Sequence, residues 1–293
     1  MSRLDVSLGV LVAVLWGLNF VAIDAGLDQL PPLFFVAVRY LLAALPLLLF
    51  VPRPDVEWRV VVAVGIFGCV LQFGLLFLSI ERGLPAGLSS VVLQCQVPFT
   101  VAIAILVLGE HVTRRQGVGI AIAVAGIALI GAMRSSSVPL SALLLCLGAG
   151  AAWGLSNVVT RASRTTRPLS LLVYSSAVAV PPLLVASAVL EGPTTGWRAL
   201  HELTGTSVVA LAYVVAAATW IGFGLWFVLL GRYDSSMVSP FALLAPPVGL
   251  VASWWLRDEQ PSSGELAGCV LALVGLALVV ARPGALRGSV PPG

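Results

Sequence analysis

The chain has 293 residues, of which 59% are hydrophobic and only 10% are charged. Soluble domains carry about 25% charged residues, so this composition excludes an ordinary water-soluble enzyme, a disordered chain and a disulfide framework. The net charge is only +3 at pH 7, and no basic run with interleaved aromatic residues indicates nucleic acid as a partner. The remaining class is an all-α polytopic membrane protein in a lipid bilayer.

A helix needs about 20 apolar residues to cross the hydrocarbon core, because lipid offers no partner to unpaired backbone groups. Ten such runs follow one another along the chain, separated by short polar connectors. They cover residues 6–24, 32–51, 59–80, 85–108, 116–133, 138–160, 169–190, 206–230, 236–256 and 264–281. The sequence therefore predicts ten transmembrane helices and no attached soluble domain.

The first run is too long for the apolar core of a signal peptide and has no small-residue cleavage site, so we expect a retained helix. Arginine placement sets the orientation, because basic residues concentrate on the cytoplasmic side of a membrane. With the N-terminus inside, eleven of the sixteen arginines fall in inner segments and four in outer segments. The prediction is that both chain ends face the cytoplasm.

The two halves of the chain resemble each other. Trp16-Gly17-Leu18-Asn19 in the first span resembles Trp153-Gly154-Leu155-Ser156 in the sixth. Further on, an offset of 149 aligns Ser90 with Ser239, Pro98 with Pro247, Glu110 with Glu259, Gly119 with Gly268 and Gly126 with Gly275. Residues 1–134 and 138–281 are therefore predicted to be two repeats, followed by a cytoplasmic tail over residues 282–293. Each repeat has five spans, so the second must be inverted, as in many secondary transporters.

The sequence contains neither a metal-binding pattern nor a known catalytic motif. The four cysteines lie in apolar runs, and neither histidine has a neighbour at ligand spacing. There is no HExxH, GxSxG or P-loop motif. We expect no enzyme activity, no metal and no cofactor.

Several motifs are similar to those of the EamA type within the drug/metabolite transporter superfamily. The first repeat contributes Trp16-Gly17-Leu18-Asn19-Phe20-Val21, Pro31-Pro32 with Arg39, and Gly87-Leu88-Ser89-Ser90 with Gly109-Glu110. The second contributes Leu230-Gly231-Arg232-Tyr233 and Asp258-Glu259. With Leu93-Gln94-Cys95-Gln96, the Leu230–Tyr233 motif also resembles members that export O-acetylserine and cysteine. One departure is Asp24, because many family members carry Lys there.

The resemblance implies a ten-helix carrier in the bacterial inner membrane that exports small metabolites. It also implies a cavity lined mainly by the third, fourth, eighth and ninth spans. Candidate substrate-binding residues are Asn19, Arg39, Gln72, Ser90, Gln94, Trp153, Trp220 and Ser239. Ser90 and Gln94 share a helix face, whereas Gln96 points about 200° away from Gln94. The stretch that follows Ser239 is mostly apolar, so we expect an amphipathic cavity that suits small zwitterions.

Arg39 is the one charge well inside a predicted span, and its burial costs about 2.5–3.5 kcal/mol on insertion scales. It either anchors a substrate carboxylate or is a structural arginine bonded within the protein. Family members with varied substrates also have Arg here, which favours the structural role. Asn19 either lines the cavity or bonds helix to helix, and for Asn157 the helix–helix role is favoured.

Other residues have predicted mechanical or structural roles. Pro98 and Pro247 interrupt equivalent spans, where a bend would serve gating. Gly119, Gly126, Gly268 and Gly275 form close-packing faces, for which packing within one chain is favoured over a dimer interface. Glu110 and Glu259 end equivalent spans, and capping of a helix N-terminus is favoured over a gating ion pair.

The predicted function is export of amino acids such as cysteine or O-acetylserine, or of related compounds, by alternating access. The alternatives are export of other metabolites or drugs, and a flippase for lipid-linked substrates. No acidic residue lies deep inside a span, so facilitated export or exchange is at least as favoured as proton antiport. The protein could act as a monomer or a homodimer.

Overall fold

The computed structural model describes residues 1–109, 111–133, 138–233 and 235–280, without the side chains of 230, 231, 235, 236, 239 and 280. Within these ranges all regular secondary structure is helical. Glu110, the side chain of Ser239 and the predicted tail over 282–293 therefore lie outside the described residues.

Ten long helical segments follow the predicted spans. They are α1 (Arg3–Leu27), α2 (Pro32–Leu48), α3 (Trp58–Glu81), α4 (Ala86–Leu108), α5 (Arg114–Met133), α6 (Leu140–Ser163), α7 (Pro168–Leu190), α8 (205–232), α9 (235–257) and α10 (Ser263–Val280). Their described ends lie within three residues of the predicted boundaries. A short helix, Thr195–His201, lies in the connector between α7 and α8, where the sequence predicted only a polar loop.

Seven of these helices, α1 and α3 to α8, are long and apolar enough to cross a membrane. Helices α2 and α10 are shorter apolar helices, and a turn at residues 243–244 divides α9. Large apolar side chains point away from the bundle, with Leu106 84% exposed and Trp255 80% exposed. Such exposure is favourable in lipid and not in water. The chain is an all-α membrane protein with several spanning helices.

Four of the long helices are irregular. Helix α3 contains a π-helical segment, Gly65–Leu71, and α8 contains another, Tyr213–Phe223. Helix α4 tightens to 3-10 geometry over Leu93–Cys95, and α9 breaks at 243–244. The last two irregularities have a cause in the sequence, because a proline ring clashes with the carbonyl four residues earlier. For Pro98 and Pro247 these carbonyls belong to residues 94 and 243, within the two distorted turns.

Helices of the first half pack closely against helices of the second. The extensive pairings are α5 with α10, α3 with α6, α4 with α6, α1 with α8, α1 with α9, and α2 with α7. Glycines allow the backbones to approach in the first pair, because a Cβ on Gly126 would lie 2.4 Å from the Ala272 nitrogen. Gly119 similarly meets the carbonyl oxygen of Gly275. The predicted glycine faces therefore pack against each other within one chain.

Carboxylates in the connectors also join the two halves. Glu191, after α7, accepts hydrogen bonds from the backbone N–H groups of Leu33 and Phe34 in the first turn of α2, at 2.6 and 3.1 Å. Asp55, after α2, holds the turn before α7 through Thr165 and Thr166. In each case the carboxylate satisfies donors that a helix start or turn would otherwise leave free.

The predicted capping role of Glu259 applies to a helix distant in sequence. Its carboxylate accepts from the N–H groups of Ala86 and Gly87, at 2.8 and 3.0 Å. It therefore caps α4 in the first half rather than α10, the next helix along the chain. Helix α10 has its own cap, because Ser262 and Glu265 bond reciprocally in a capping box.

Substitution Gly126→Ala tests the close approach of α5 and α10. The new methyl group would meet backbone atoms, which cannot move aside as a flexible side chain can. We expect the free energy of unfolding to fall by about 1–3 kcal/mol, the usual range for overpacking. Thermal or denaturant unfolding of the purified protein in detergent measures the change.

Gly117→Ala is the matched control, because it lies on the same helix and a Cβ there meets nothing within 4 Å. This variant should be as stable as the parent or slightly more so, since Ala has the higher helix propensity. Equal stability of the two variants would contradict the close helix pairing.

Acid should weaken the link between the α2–α3 and α6–α7 connectors. Hydrogen bonds from Thr165 and Thr166 lower the pKa of Asp55 below its ordinary value of 3.8. Since the folded-state pKa is the lower one, the contribution of Asp55 to stability is present above the unfolded-state pKa and is lost as the pH falls through the folded-state value. We expect Asp55→Asn to lower the melting temperature at pH 7 and to reduce its decline between pH 7 and pH 3.

The neighbouring surface ion pair of Glu57 and Arg59 provides the control, because both side chains are largely exposed. Glu57→Gln should change the melting temperature less than Asp55→Asn does. An acid decline that is identical in the parent and in Asp55→Asn would show that the connector link contributes nothing to stability.

Candidate functional site

Arg39 lies on α2, in the buried interior between the two halves. Its side chain is only 2% exposed, and its Nη2 donates to the Thr219 hydroxyl on α8 at 3.4 Å. The Thr219 hydroxyl in turn donates to the Val214 carbonyl at 2.8 Å. The hydroxyl proton is therefore used within α8, and the oxygen is free to accept from the guanidinium.

Two aromatic rings lie beside the guanidinium. The Cζ of Arg39 is 4.1 Å from the centre of the Phe73 ring on α3 and 5.3 Å from that of Tyr40. A desolvated cation over an aromatic face gains about 2 kcal/mol or more. This gain offsets part of the burial cost of Arg39, but the rings accept no hydrogen bond from the guanidinium edges.

The guanidinium keeps unused donors. Its Nε and Nη1 are buried and have no hydrogen-bond partner within the described residues. These two atoms bear three of the five N–H bonds of the group. The Asn19 Oδ1 on α1 is also buried without a partner. Unsatisfied groups of this kind are costly in a protein interior, so they mark a place where another molecule can bind.

The irregular parts of α3 and α8 meet Arg39 from two sides. Thr219 belongs to the π-helical segment of α8, and Phe73 lies just beyond the π-helical segment of α3. Single π-helical turns occur often at functional sites, because they shift side chains out of the regular helical register. The site is therefore built from one regular helix and two distorted ones.

The predicted cavity residues do not all line one space. Gln72 and Gln94 are buried in α3 and α4, whereas Ser90 bridges helices, since its hydroxyl contacts the Gly87 and Pro246 carbonyls at 2.6 and 3.3 Å. Trp153 packs half-buried against the hydrophobic core. Trp220 donates its indole N–H to the Ala43 carbonyl at 3.1 Å and so ties α8 to α2.

Two further polar residues contact neighbouring helices. The Asn157 amide on α6 donates to the Gln96 side chain on α4 at 2.9 Å, which is the helix–helix role predicted for it. Trp16 donates its indole N–H to the Ala218 carbonyl on α8 at 3.2 Å.

Two grooves occur on the surface formed by the described residues. One of about 180 Å³ lies between α2 and α7 and is lined mostly by Leu and Ala side chains. The other, of about 90 Å³, lies near Trp197 in the connector after α7. Neither is lined by a predicted cavity residue. Arg39, Asn19, Gln72 and Gln94 are themselves at most 8% exposed.

Ionic clusters lie at both ends of α1. Near its start, Asp5 accepts from Arg232 at 3.0 Å and from the Tyr233 hydroxyl at 2.7 Å, which joins α1 to the end of α8. Near its other end, Asp24 and Asp28 pair with Arg257, the last residue of α9. Asp5 and Asp24 are 19 residues apart, or about 28 Å along the helix. A different helix therefore holds each end of α1.

Sequence reasoning missed several residues of this site. Tyr40, Phe73 and Thr219 were not singled out, although each is adjacent in sequence to a candidate, Arg39, Gln72 or Trp220. The pairing of Asp24 with Arg257 was also missed. Within the described residues, no group of three or more His, Cys, Asp or Glu side chains could hold a metal ion.

Comparison with known proteins identifies the chain. The EamA-like transporter family matches residues 4–132 and 140–281. A "Probable amino-acid metabolite efflux pump" from Escherichia coli K12 is 37% identical over 94% of each chain, and one of the same name from Salmonella typhimurium LT2 is 38% identical over 94% of each. The "Uncharacterized inner membrane transporter YedA" from Escherichia coli K12 is 25% identical, covering 92% of this chain and 90% of the relative.

The chain also resembles a solved crystal structure with a TM-score of 0.64. The match covers 98% of this chain and 100% of the chain in that structure. At 17% identity this likeness concerns the fold alone. The match to the family runs through both halves of the chain, and the two efflux pumps are similar over nearly their whole length. This chain belongs to the EamA-like transporter family.

Proposed function

We propose that the protein is a carrier in the bacterial inner membrane that exports small amino-acid metabolites by alternating access. In this proposal ten helices cross the membrane as two inverted five-helix repeats, residues 1–134 and 138–281, with both chain ends in the cytoplasm. The observation that carries it is the twofold-related packing of the two halves. The names of the efflux-pump relatives indicate the substrate class.

The twofold-related packing becomes clear when each helix is replaced by its counterpart in the other repeat, so that α1 corresponds to α6, α2 to α7, and so on. The α1–α9 pairing becomes α6–α4, and both pairings are among the extensive ones in the bundle. The α2–α7 and α5–α10 pairings each become themselves. The packing of α1 on α8 likewise corresponds to that of α6 on α3. A pseudo-twofold axis between the halves requires this correspondence, and the odd number of five spans per repeat is what makes the second repeat inverted.

Local geometry supports the same correspondence. The sequence offset of 149 between the repeats carries the π-helical segment Gly65–Leu71 onto residues 214–220, which lie within the π-helical segment of α8. The same offset carries the 3-10 turn of α4 onto the break at 243–244 in α9. It also carries Gly109 onto Asp258, and both end their helices in the left-handed conformation, with φ of 67° and 54°.

The ionic clusters at the ends of α1 supply the gates. The Asp5 cluster lies at the cytoplasmic end and the Asp24 cluster at the outer end in the proposed orientation. The Arg232 side chain is 57% exposed and that of Arg257 is 29% exposed. Their partners Asp5 and Asp24 are less exposed, at 7% and 21%. Solvent screens each pair at its arginine end, so the pairs can open and close in turn. Pro98 and Pro247, each next to a distorted turn, are the proposed hinges.

The proposed cavity lies around Arg39, Asn19, Gln72 and Gln94, between the halves. These groups offer a cation, amides and aromatic rings, which suits a small zwitterion with a weakly polar side chain. The surface groove between α2 and α7, of about 180 Å³, is smaller than the roughly 300–1,000 Å³ of typical ligand sites. The burial of the polar groups around Arg39 supports an enclosed metabolite site rather than a lateral groove for a lipid-linked substrate.

Efflux from proteoliposomes tests the function. Vesicles loaded with labelled cysteine or O-acetylserine should lose label faster when they contain the protein, and the rate should saturate with internal concentration. Imposing a pH gradient separates proton-coupled export from facilitated export. Protein-free vesicles provide the control, and absence of saturable efflux for any amino acid would contradict the proposed substrate class.

Locking the outer gate tests alternating access. In the double variant Asp24→Cys with Arg257→Cys, a short, reducible bifunctional thiol reagent should join α1 to α9. We expect efflux to fall to less than about a tenth of its rate when the gate cannot open, and to recover after reduction. The two single variants treated with the same reagent are the matched controls. Undiminished efflux from the cross-linked double variant would show that these ends need not separate.

A further inference from the structure

We propose that the Arg39 guanidinium is the binding group for the carboxylate of the transported metabolite. This inference rests on the proposed function, and it assigns the chemical class that the substrate must contain. It is carried by the donors that the protein itself leaves unused, together with the arrangement of α2, α3 and α8 around them.

The first step concerns what a purely structural arginine would need. A buried guanidinium held for stability alone is normally paired with a carboxylate or bonded to carbonyls through its donors. Arg39 is in none of the ion pairs found in the described residues, and its single side-chain hydrogen bond, to Thr219, is long at 3.4 Å. The protein therefore supplies neither the counter-charge nor most of the acceptors.

The second step concerns the faces and edges of the group. The guanidinium lies over the Phe73 ring, with Cζ 4.1 Å from the ring centre, and the Tyr40 ring is also close. Rings in these positions restrict the planar group without using its N–H bonds. The unpartnered Nε and Nη1 therefore keep donors that a ligand could use once the site opens.

The third step concerns which ligand completes the site. A carboxylate supplies both a negative charge and paired acceptor oxygens, which match the fork of donors on a guanidinium. A neutral amide or an amine supplies no counter-charge. The aromatic rings beside Arg39 also exclude water and strengthen a charge-assisted bond. The expected substrate is therefore a small molecule with a free carboxylate, such as an α-amino acid.

The experiment compares matched ligands in the same efflux assay. L-Cysteine, its amide and the decarboxylated amine cysteamine share one side chain and differ only in the carboxylate. Efflux of labelled cysteine should be inhibited by external or co-loaded cysteine at about tenfold lower concentration than by the amide or the amine. In Arg39→Gln this preference should disappear, whereas Arg39→Lys, which keeps the charge, should retain part of it.

Arg82→Gln is the matched control, because Arg82 is exposed at the end of α3 and lies away from the proposed site. It should keep both the efflux rate and the preference of the parent. If Arg39→Gln does not insert into the membrane, the melting temperature of the purified parent protein gives the second readout. Cysteine should raise it, and the amide and the amine at the same concentration should not.

Two results would overturn the inference and leave the proposed function standing. One is efflux by the parent protein that amide, amine and amino acid inhibit equally. The other is an inserted Arg39→Gln protein that exports cysteine with the parental preference. In the melting experiment, equal stabilisation by all three compounds, or by none, counts against it in the same way. Absence of efflux for every amino acid, with cysteine still stabilising the protein selectively, would instead contradict the proposed function.

Discussion

The two halves of this protein are held together by helices that pack more closely across the halves than within them. The α5–α10 pair depends on glycines, because a single methyl group at Gly126 would collide with the backbone of α10. Close-packed contacts of this kind are nearly incompressible, so the two helices keep their relative position while the contact lasts. A change of conformation in this bundle must therefore move groups of helices as units. The glycine faces leave no space between α5 and α10, whereas Arg232 and Arg257 in the ionic clusters at the ends of α1 keep contact with solvent.

Because the hydrocarbon core of a bilayer offers no hydrogen bonds, polar groups inside the bundle must bond to one another or to a ligand. Most of them find a partner across a helix contact: Ser90 bonds to α9, Asn157 to α4 and Trp220 to α2. Arg39 and Asn19 differ, because each keeps a buried atom without a partner in the described residues. Within the described residues, Arg39, Asn19 and also Ser253 on α9 are therefore the buried side chains that could still accept a further hydrogen-bond partner.

The sequence was sufficient for the helices but not for the side-chain partners. Helix boundaries follow from the length of apolar runs, which the bilayer thickness dictates, and the glycine spacing predicted the α5–α10 faces. The sequence predicted that Glu259 caps a helix but not which helix, because α4 is distant in sequence and close only in the fold. The hydrogen bond from Ser90, predicted to line a cavity, to the Pro246 carbonyl on α9 could not be predicted either. Helical periodicity gives the face of a residue and says nothing of what lies opposite.

The central claim is that the halves are inverted, and the sidedness of two equivalent connectors tests it most directly. Single cysteines replace the exposed residues Glu57, between α2 and α3, and Glu202, between α7 and α8, in a protein whose four native cysteines are buried. A membrane-impermeant thiol reagent is then applied to spheroplasts and to inverted vesicles. The account predicts labelling of Glu57→Cys only in inverted vesicles and of Glu202→Cys only in spheroplasts. Labelling of both from the same face would contradict it.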